Sequence, residues 1–203
     1  MPGARTHDLI TLVSGVALAF PYYRLVAGGP SNVAAEGTAV FIAAHLISGI
    51  MFSPDLDLDS AIDNRWGIFF WIWRPYMWLV PHRSPWLSHG LVLPPLLRLA
   101  YFQLVITICL IALAWLLGLV GIVVPNYHAQ LAAAIFGWMA SHPDSVRSIL
   151  LGFITGSAAH SIADWLVTGG KHYLRFLGVR LKHSYANHDG FTHRTRRRRS
   201  WNR

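Results

Sequence analysis

The sequence contains a single cysteine, Cys109, placed inside its most apolar window. One cysteine supplies neither a disulfide framework nor a thiolate metal site, so any metal bound by this chain is held by nitrogen and oxygen. Charge is scarce too: 13% of the 203 residues are charged against 54% hydrophobic, and the mean hydropathy is +0.40. That balance is too apolar for a water-soluble domain of this length and points to a lipid bilayer. His7 and Asp8 precede the first apolar stretch and no small-residue cleavage site follows it, so that stretch is expected to remain in the mature protein.

What is abundant is long apolar runs. A span needs roughly 20 mainly apolar residues to cross about 30 Å of hydrocarbon. Leu99 to Val124 carries no charge and ends before Pro125. Leu9 to Gly28 is a second span, in which Pro21 and Arg24 predict a kink or an early exit to the headgroups. Val33 to Phe52 is a third, with His45 inside it, and Ser148 to Thr168 a fourth, carrying His160 and Asp164. The expected fold is all-α: a polytopic membrane helical bundle of about four transmembrane helices over residues 1–170, followed by a basic tail over residues 171–203. Leu131 to Ala140 is too short to cross alone and reads as an interfacial or re-entrant helix, a tilted fifth span being the alternative. Trp66 to Trp86, rich in tryptophan and broken by Pro75, Pro81 and Pro85, reads as a segment lying along the interface, an aromatic belt without chemistry.

Orientation follows from lysine and arginine, which favour the cytoplasmic side. Ten of the 17 lie in the tail from Lys171 to Arg203, four more (Arg65, Arg74, Arg83, Arg98) lie between the second and third spans, and Arg5 precedes the first. Both termini and the central loop are therefore expected in the cytoplasm, with the chain in a bacterial inner membrane or its equivalent. The closing RTRRRRSWNR is expected to associate with anionic lipid headgroups. No recognised nucleic-acid fold accompanies those arginines, so specific nucleic-acid binding is not expected.

This topology brings four polar clusters to one face: His7 with Asp8, the SPDLDLDS segment at 53–60, PHRSPWLSHG at 81–90, and HSIADWLVTGG at 160–170. His160 and Asp164 are four residues apart and share a helix face. An ionisable pair inside a span is costly unless it meets a polar cavity, a partner or an ion; the bland alternative is a private hydrogen-bonded pair joining two helices. Asp55 and Asp57, with Asp59, form a carboxylate group that repels itself unless a cation or an arginine neutralises it, whereas a solvated loop start accounts for Asp59 and Asp63. His82 and His89 bracket a proline-containing turn, with Arg83 placed to pair with a carboxylate or an anionic substrate. His45 is expected to join helices rather than serve the site. The tail histidines His183, His188 and His193 carry no assigned role, and His128, His142 and His172 none either. Imidazole and carboxylate without thiolate suit a divalent ion, zinc first, then manganese or iron, and the choice between one ion and two stays open.

In GARTHD, MFSPDLDLDS, the tryptophan-rich stretch, HRSPWLSHG and LRLAYF, over roughly residues 1 to 105, the chain resembles an uncharacterised bacterial family of metal-binding membrane proteins. More distantly it is similar to membrane-bound metal-dependent hydrolases, in which an early TH, a PD-D after a span, an HR with a histidine soon after, and a late H-x-x-x-D-x-x-T-x-x-G-like segment recur. The resemblance implies metal roles for His7, Asp55, Asp57, His82, His89, His160 and Asp164. The chain departs from the hydrolase pattern in the longer gap between His82 and His89 and in Ser88, where that pattern has threonine.

Two functions follow. In the first, His7, Asp55, Asp57, His89, His160 and Asp164 hold a divalent metal, His82 moves protons and Arg83 holds an anionic group, giving a hydrolase for an ester or phosphoester at the cytoplasmic membrane face, with phospholipid-like substrates. In the second, the ion clamps loops to the fourth span in a non-catalytic structural or assembly protein whose tail meets a protein partner. A transporter is weakened because Glu36 is the one acid in a span near the opposite face, which leaves no relay.

Overall fold

The computed structural model describes residues 4–28, 31–57, 63–80, 90–123 and 125–176, with the backbone alone at residues 4, 31, 55, 57, 63–64 and 168–176. Among the described residues all regular structure is helical: α1 (Ala4–Val26), α2 (Ser31–Met51), α3 (Asp63–Trp66), α4 (Arg74–Leu79), α5 (Leu93–Leu119), α6 (Tyr127–Ser141) and α7 (Pro143–Phe176), with 3₁₀ turns at Pro54–Asp57 and Gly67–Trp73. The chain divides into two units, Met1–Thr168 and Gly169–Arg203.

Four helices are long and apolar enough to cross a membrane: Arg5–Val26, Asn32–Met51, Leu93–Leu119 and Pro143–Val167. α1 continues through Pro21 and Arg24 to Val26, so the helix does not end at Pro21. The third apolar helix is shifted toward the N-terminus relative to the expectation. It starts at Leu93 because Pro94 and Pro95 fall in the first turn, where a missing N–H costs nothing. It stops at Leu119 because Gly121 takes a left-handed φ of 82°, and the Ile122 and Gly121 N–H groups close back on the Leu117 and Gly118 carbonyls at 3.0 and 3.1 Å. That is a Schellman ending, built on a glycine that tolerates positive φ. α6, at 15 residues, is shorter than a span.

The register of the bundle is set by small residues. α1 and α2 run antiparallel: Thr11 lies against Gly49, Gly15 lies against the His45 ring, and Tyr22 stacks on Phe41 with ring centroids 4.1 Å apart. α7 crosses α2 at Gly152 and Gly156, where the Phe41 and His45 carbonyls occupy the space a Cβ would fill. This glycine pair at i, i+4 is the spacing that lets helix backbones approach in lipid. Tyr22 and Ser148 hydroxyls meet at 2.8 Å, and the Ser48 hydroxyl donates to the Phe153 carbonyl. Residues 7, 53 and 160 consequently lie at one end of the α1–α2–α7 bundle, and residues 22, 41 and 148 toward the other.

His45, fully buried, joins all three helices. Its Nδ1 lies 3.0 Å from Thr155 Oγ1, and its Nε2 lies 3.0 Å from Ser14 Oγ and 3.1 Å from the Thr11 carbonyl. Its contacts are those of a helix-joining residue, the role that satisfies a polar group which would cost several kcal/mol if left bare in hydrocarbon (about that order for each unpaired group).

The tryptophan-rich segment does more than line an interface. Trp73, Phe70 and Tyr76 are buried with Phe52, Leu56, Val80 and Phe153 in one core cluster, against which Trp66, Tyr101 and Phe102 pack, while Trp71 and Trp78 face outward. Phe52, just past α2, is the hub: its ring is edge-on to Trp66, Trp73 and Phe102 at 5.5, 5.5 and 5.2 Å. Arg98, buried in the first turns of α5, donates to the Phe52 carbonyl and ties α5 to this end of the bundle. Beyond it, α5 presents Leu104, Ile108, Leu113 and Trp115 outward, as a lipid-facing helix would.

Candidate metal centre

The end of the bundle that holds residues 7, 53 and 160 collects three buried ligand-type side chains. His7 sits in the first turn of α1, and its carbonyl accepts a 2.9 Å hydrogen bond from the Thr11 hydroxyl one turn on. His160 and Asp164 sit one turn apart on α7, so a single helix face presents an imidazole and a carboxylate to the start of α1. His7, His160 and Asp164 are 3%, 1% and 3% exposed. One ligand atom from each lies within 4.8 Å of the others.

Both imidazoles lie beside the same carboxylate, in a group compact enough to hold an ion. His7 Nε2 lies 3.4 Å from Asp164 Oδ1, and His160 Nε2 lies 3.5 Å from Asp164 Oδ2. A charge-assisted N–H···O bond would bring these atoms to about 2.7–2.9 Å. Ligands arranged about one ion at ~2.1 Å are about 3.4 Å apart, so the three side chains lie close enough to share one. The His7 and His160 rings stack with centroids 3.7 Å apart and planes 11° from parallel, and each Nε2 lies beside the carboxylate; for both nitrogens to ligate one ion in the plane of their rings, one ring must turn out of this stack. Neither oxygen of Asp164 has a hydrogen-bond partner within the described residues. A buried carboxylate costs several kcal/mol (an order-of-magnitude figure) unless a cation neutralises it, and here that cation is either a metal ion or an adjacent imidazolium. Two nitrogens and a carboxylate form a donor set suited to zinc and its neighbours, and three protein ligands leave a coordination position for water or further groups.

Of the residues singled out in the sequence, the structure brings His7, His160 and Asp164 together. Asp55 and Asp57 belong to the 3₁₀ turn that follows α2 at the same end of the bundle, but their side chains lie outside the described residues. His82, Arg83 and His89 lie outside them entirely, as do the tail histidines and the arginine run. Asp8 is not part of the three-residue group, because Arg65 holds its carboxylate. His142 directly precedes α7, 18 positions before His160 and so about 27 Å away along the helix.

Sequence reading missed the hydroxyls of this site. Ser157 and Ser161 share the α7 face of His160 and Asp164, and Ser53 closes the end of α2; all three are buried, and their oxygens have no partner within the described residues. Other hydroxyls of the bundle, such as Thr38, Ser148 and Thr155, bond back to carbonyls of their own helix. The signal was present as serines at i, i+4 interleaved with His160 and Asp164, but small residues on a membrane helix read first as packing.

A family model described as "Uncharacterized metal-binding protein (DUF2227)" matches residues 2–174. No curated protein and no solved structure gives a match.

Proposed function

We propose that this chain, which belongs to that family of uncharacterised metal-binding proteins, is a membrane-embedded protein that holds a divalent metal through His7, His160 and Asp164 and uses it to hydrolyse an ester or phosphoester at the membrane face. The observation that carries the metal reading is the convergence of these three buried side chains from opposite ends of the described chain around a carboxylate with no hydrogen-bond partner there. Zinc is the ion best matched by two imidazoles and one carboxylate, and Asp55, Asp57 and His89 are the further ligands the sequence offers. When bound, such an ion supplies Lewis acidity for attack by water on the substrate.

The protein's own residues do the rest. In the bilayer reading His82 exchanges protons with the reacting groups and Arg83 holds an anionic oxygen, both in the stretch of sequence that precedes α5. The termini of this arrangement lie in the cytoplasm of the cell, and the outward Trp71 and Trp78 rest at the headgroup level where phospholipid-like substrates present their esters. The test is an assay of detergent-purified protein against phospholipids and nitrophenyl phosphate esters, with and without chelator. Hydrolysis that disappears with chelator and returns with zinc is the expected result; absence of turnover from a metal-loaded protein sinks the enzymatic part.

The near-complete burial of the three ligands favours a second reading, a non-catalytic metal clamp in a structural or assembly protein that engages a protein partner. A closed ligand shell, detected as a cobalt-substituted site with no exchangeable water, would select it.

The basic tail is assigned to lipid rather than to the metal. Deleting residues 194–203 removes six arginines. Metal content is expected to stay unchanged, while binding to anionic vesicles weakens by about 1 kcal/mol per arginine near the surface and loses its salt dependence. Metal loss in the truncated protein would place the tail in the site.

A further inference from the structure

His7 lies in the first turn of α1, the part of a helix least able to hold a ligand in place. The opening N–H groups there have no intrahelical acceptor, and the first turn of α1 has no acidic residue to favour it. Asp8 follows directly, and its carboxylate receives two hydrogen bonds from Arg65 Nη2, at 2.8 and 2.7 Å. The same guanidinium donates from Nη1 to the Ile50 carbonyl at 2.6 Å, in the last turn of α2. Beside it, the Trp66 indole donates to the Met51 carbonyl at 2.9 Å. These carbonyls are among those a helix end leaves without intrahelical donors. One side chain on α3 therefore couples the start of α1 to the end of α2. The ion pair is only partly exposed, with side chains 21% and 32% accessible, so solvent screens it less than a surface pair.

We infer that Arg65 and Asp8 are positioning residues for the metal: the Asp8–Arg65–Ile50 clamp holds the first turns of α1 so that the His7 imidazole stays stacked on His160 and beside Asp164. This rests on the metal reading of that site. It also gives Asp8 a role distinct from coordination, although it adjoins His7 in sequence. The local order is reinforced from within α1 by the Thr11 hydroxyl on the His7 carbonyl. Loss of Arg65 leaves the helix free to open at His7, the member of the three-residue group that does not come from α7.

The experiment is zinc titration of the full-length protein in detergent against a chromophoric chelator, run beside amide hydrogen exchange of the metal-free protein. R65A and D8N should each weaken zinc affinity by about 10- to 100-fold, the usual cost of losing an outer support of a ligand. R65K, which keeps the charge but not the fork, should recover part of it, and the exchanged pair D8R/R65D should recover more than either single change. Exchange at residues 5–11 should accelerate in metal-free R65A while α2 and α7 amides stay protected. Unchanged affinity in R65A overturns the inference. So does loss of zinc in D8N with R65A intact, which would make Asp8 a direct ligand, and so does exchange accelerated evenly through all three helices, which would make the pair a general stabiliser. If the wild-type protein binds no zinc, the metal reading fails on its own, and the exchange of residues 5–11 still decides whether the clamp exists.

Discussion

Asp164→Asn removes the bound metal and leaves the metal-free protein at least as stable as the wild type. The carboxylate is 3% exposed and neither oxygen has a hydrogen-bond partner within the described residues. Asparagine keeps its shape while removing a buried charge that the His7 and His160 imidazoles, 3.4 and 3.5 Å away, compensate only in part, so the apo protein gains the remainder of its burial cost. The holo protein loses one of three ligands. Binding of a structural zinc is worth about 10–16 kcal/mol over four ligands, so each supplies about 2.5–4 kcal/mol, or roughly 10²–10³ in affinity. His160→Ala is expected to lose metal to the same degree, and His142→Ala, at the far end of the bundle, to lose none. The measurements are metal content by elemental analysis and thermal midpoints in detergent with chelator present. Stoichiometric zinc in D164N would end the assignment of this site. A metal-free midpoint well below that of the wild type would mean that Asp164 is held by protein contacts and not by an ion.

Gly156→Leu separates α7 from α2. At Gly156 a Cβ would overlap the His45 carbonyl and press on the Gly49 nitrogen, and these are backbone atoms that no rotamer change can move. Overpacking of a close-fitted seam costs about 1–3 kcal/mol in ordinary cores, and a backbone-to-backbone contact belongs at the upper end or beyond. The two helices would have to part along the seam, loosening the His45 hydrogen bond to Thr155. His160 is one turn further along α7, so its distance from His7 changes with it, and zinc affinity should fall although no ligand has been altered. Gly118→Ala and Gly137→Ala serve as contrasts, since nothing lies within 4 Å of a Cβ at either position. There, alanine should stabilise by about 0.5–1 kcal/mol through helix propensity. Reversible unfolding in mixed micelles measures all three. A neutral Gly156→Leu would show that the seam is looser than the backbone approach implies.

The helices were legible because hydropathy is a property of composition within a window. Four apolar runs predicted four helices of spanning length; α1 and α7 begin earlier than those runs, at Ala4 and Pro143, and α5 is shifted by Pro94 and Pro95 at its start and Gly121 past its end. The direction of α1 through Pro21 was not legible, because a proline in a span is tolerated when neighbouring groups supply its lost partner. Nor was the inward packing of Trp73 and Trp66: an amphipathic ring fits an interface or an aromatic core equally well by composition, and the choice was made by Phe52 and Phe102 arriving from other helices.

By itself, then, the amino-acid sequence determined that the chain is helical and apolar, that a metal must be met by nitrogen and oxygen, and that His160 and Asp164 share one face of a helix. Tertiary structure brought His7, already expected at this face, beside them, and alone decided that Asp8 is taken by Arg65 and that the hydroxyls of Ser53, Ser157 and Ser161 are buried without a partner among the described residues. The reason lies in register. Which residue of α1 stands opposite residue 160 of α7 depends on how closely the backbones approach at Gly49, Gly152 and Gly156, and that approach is a relation between helices far apart in the chain which no local window contains.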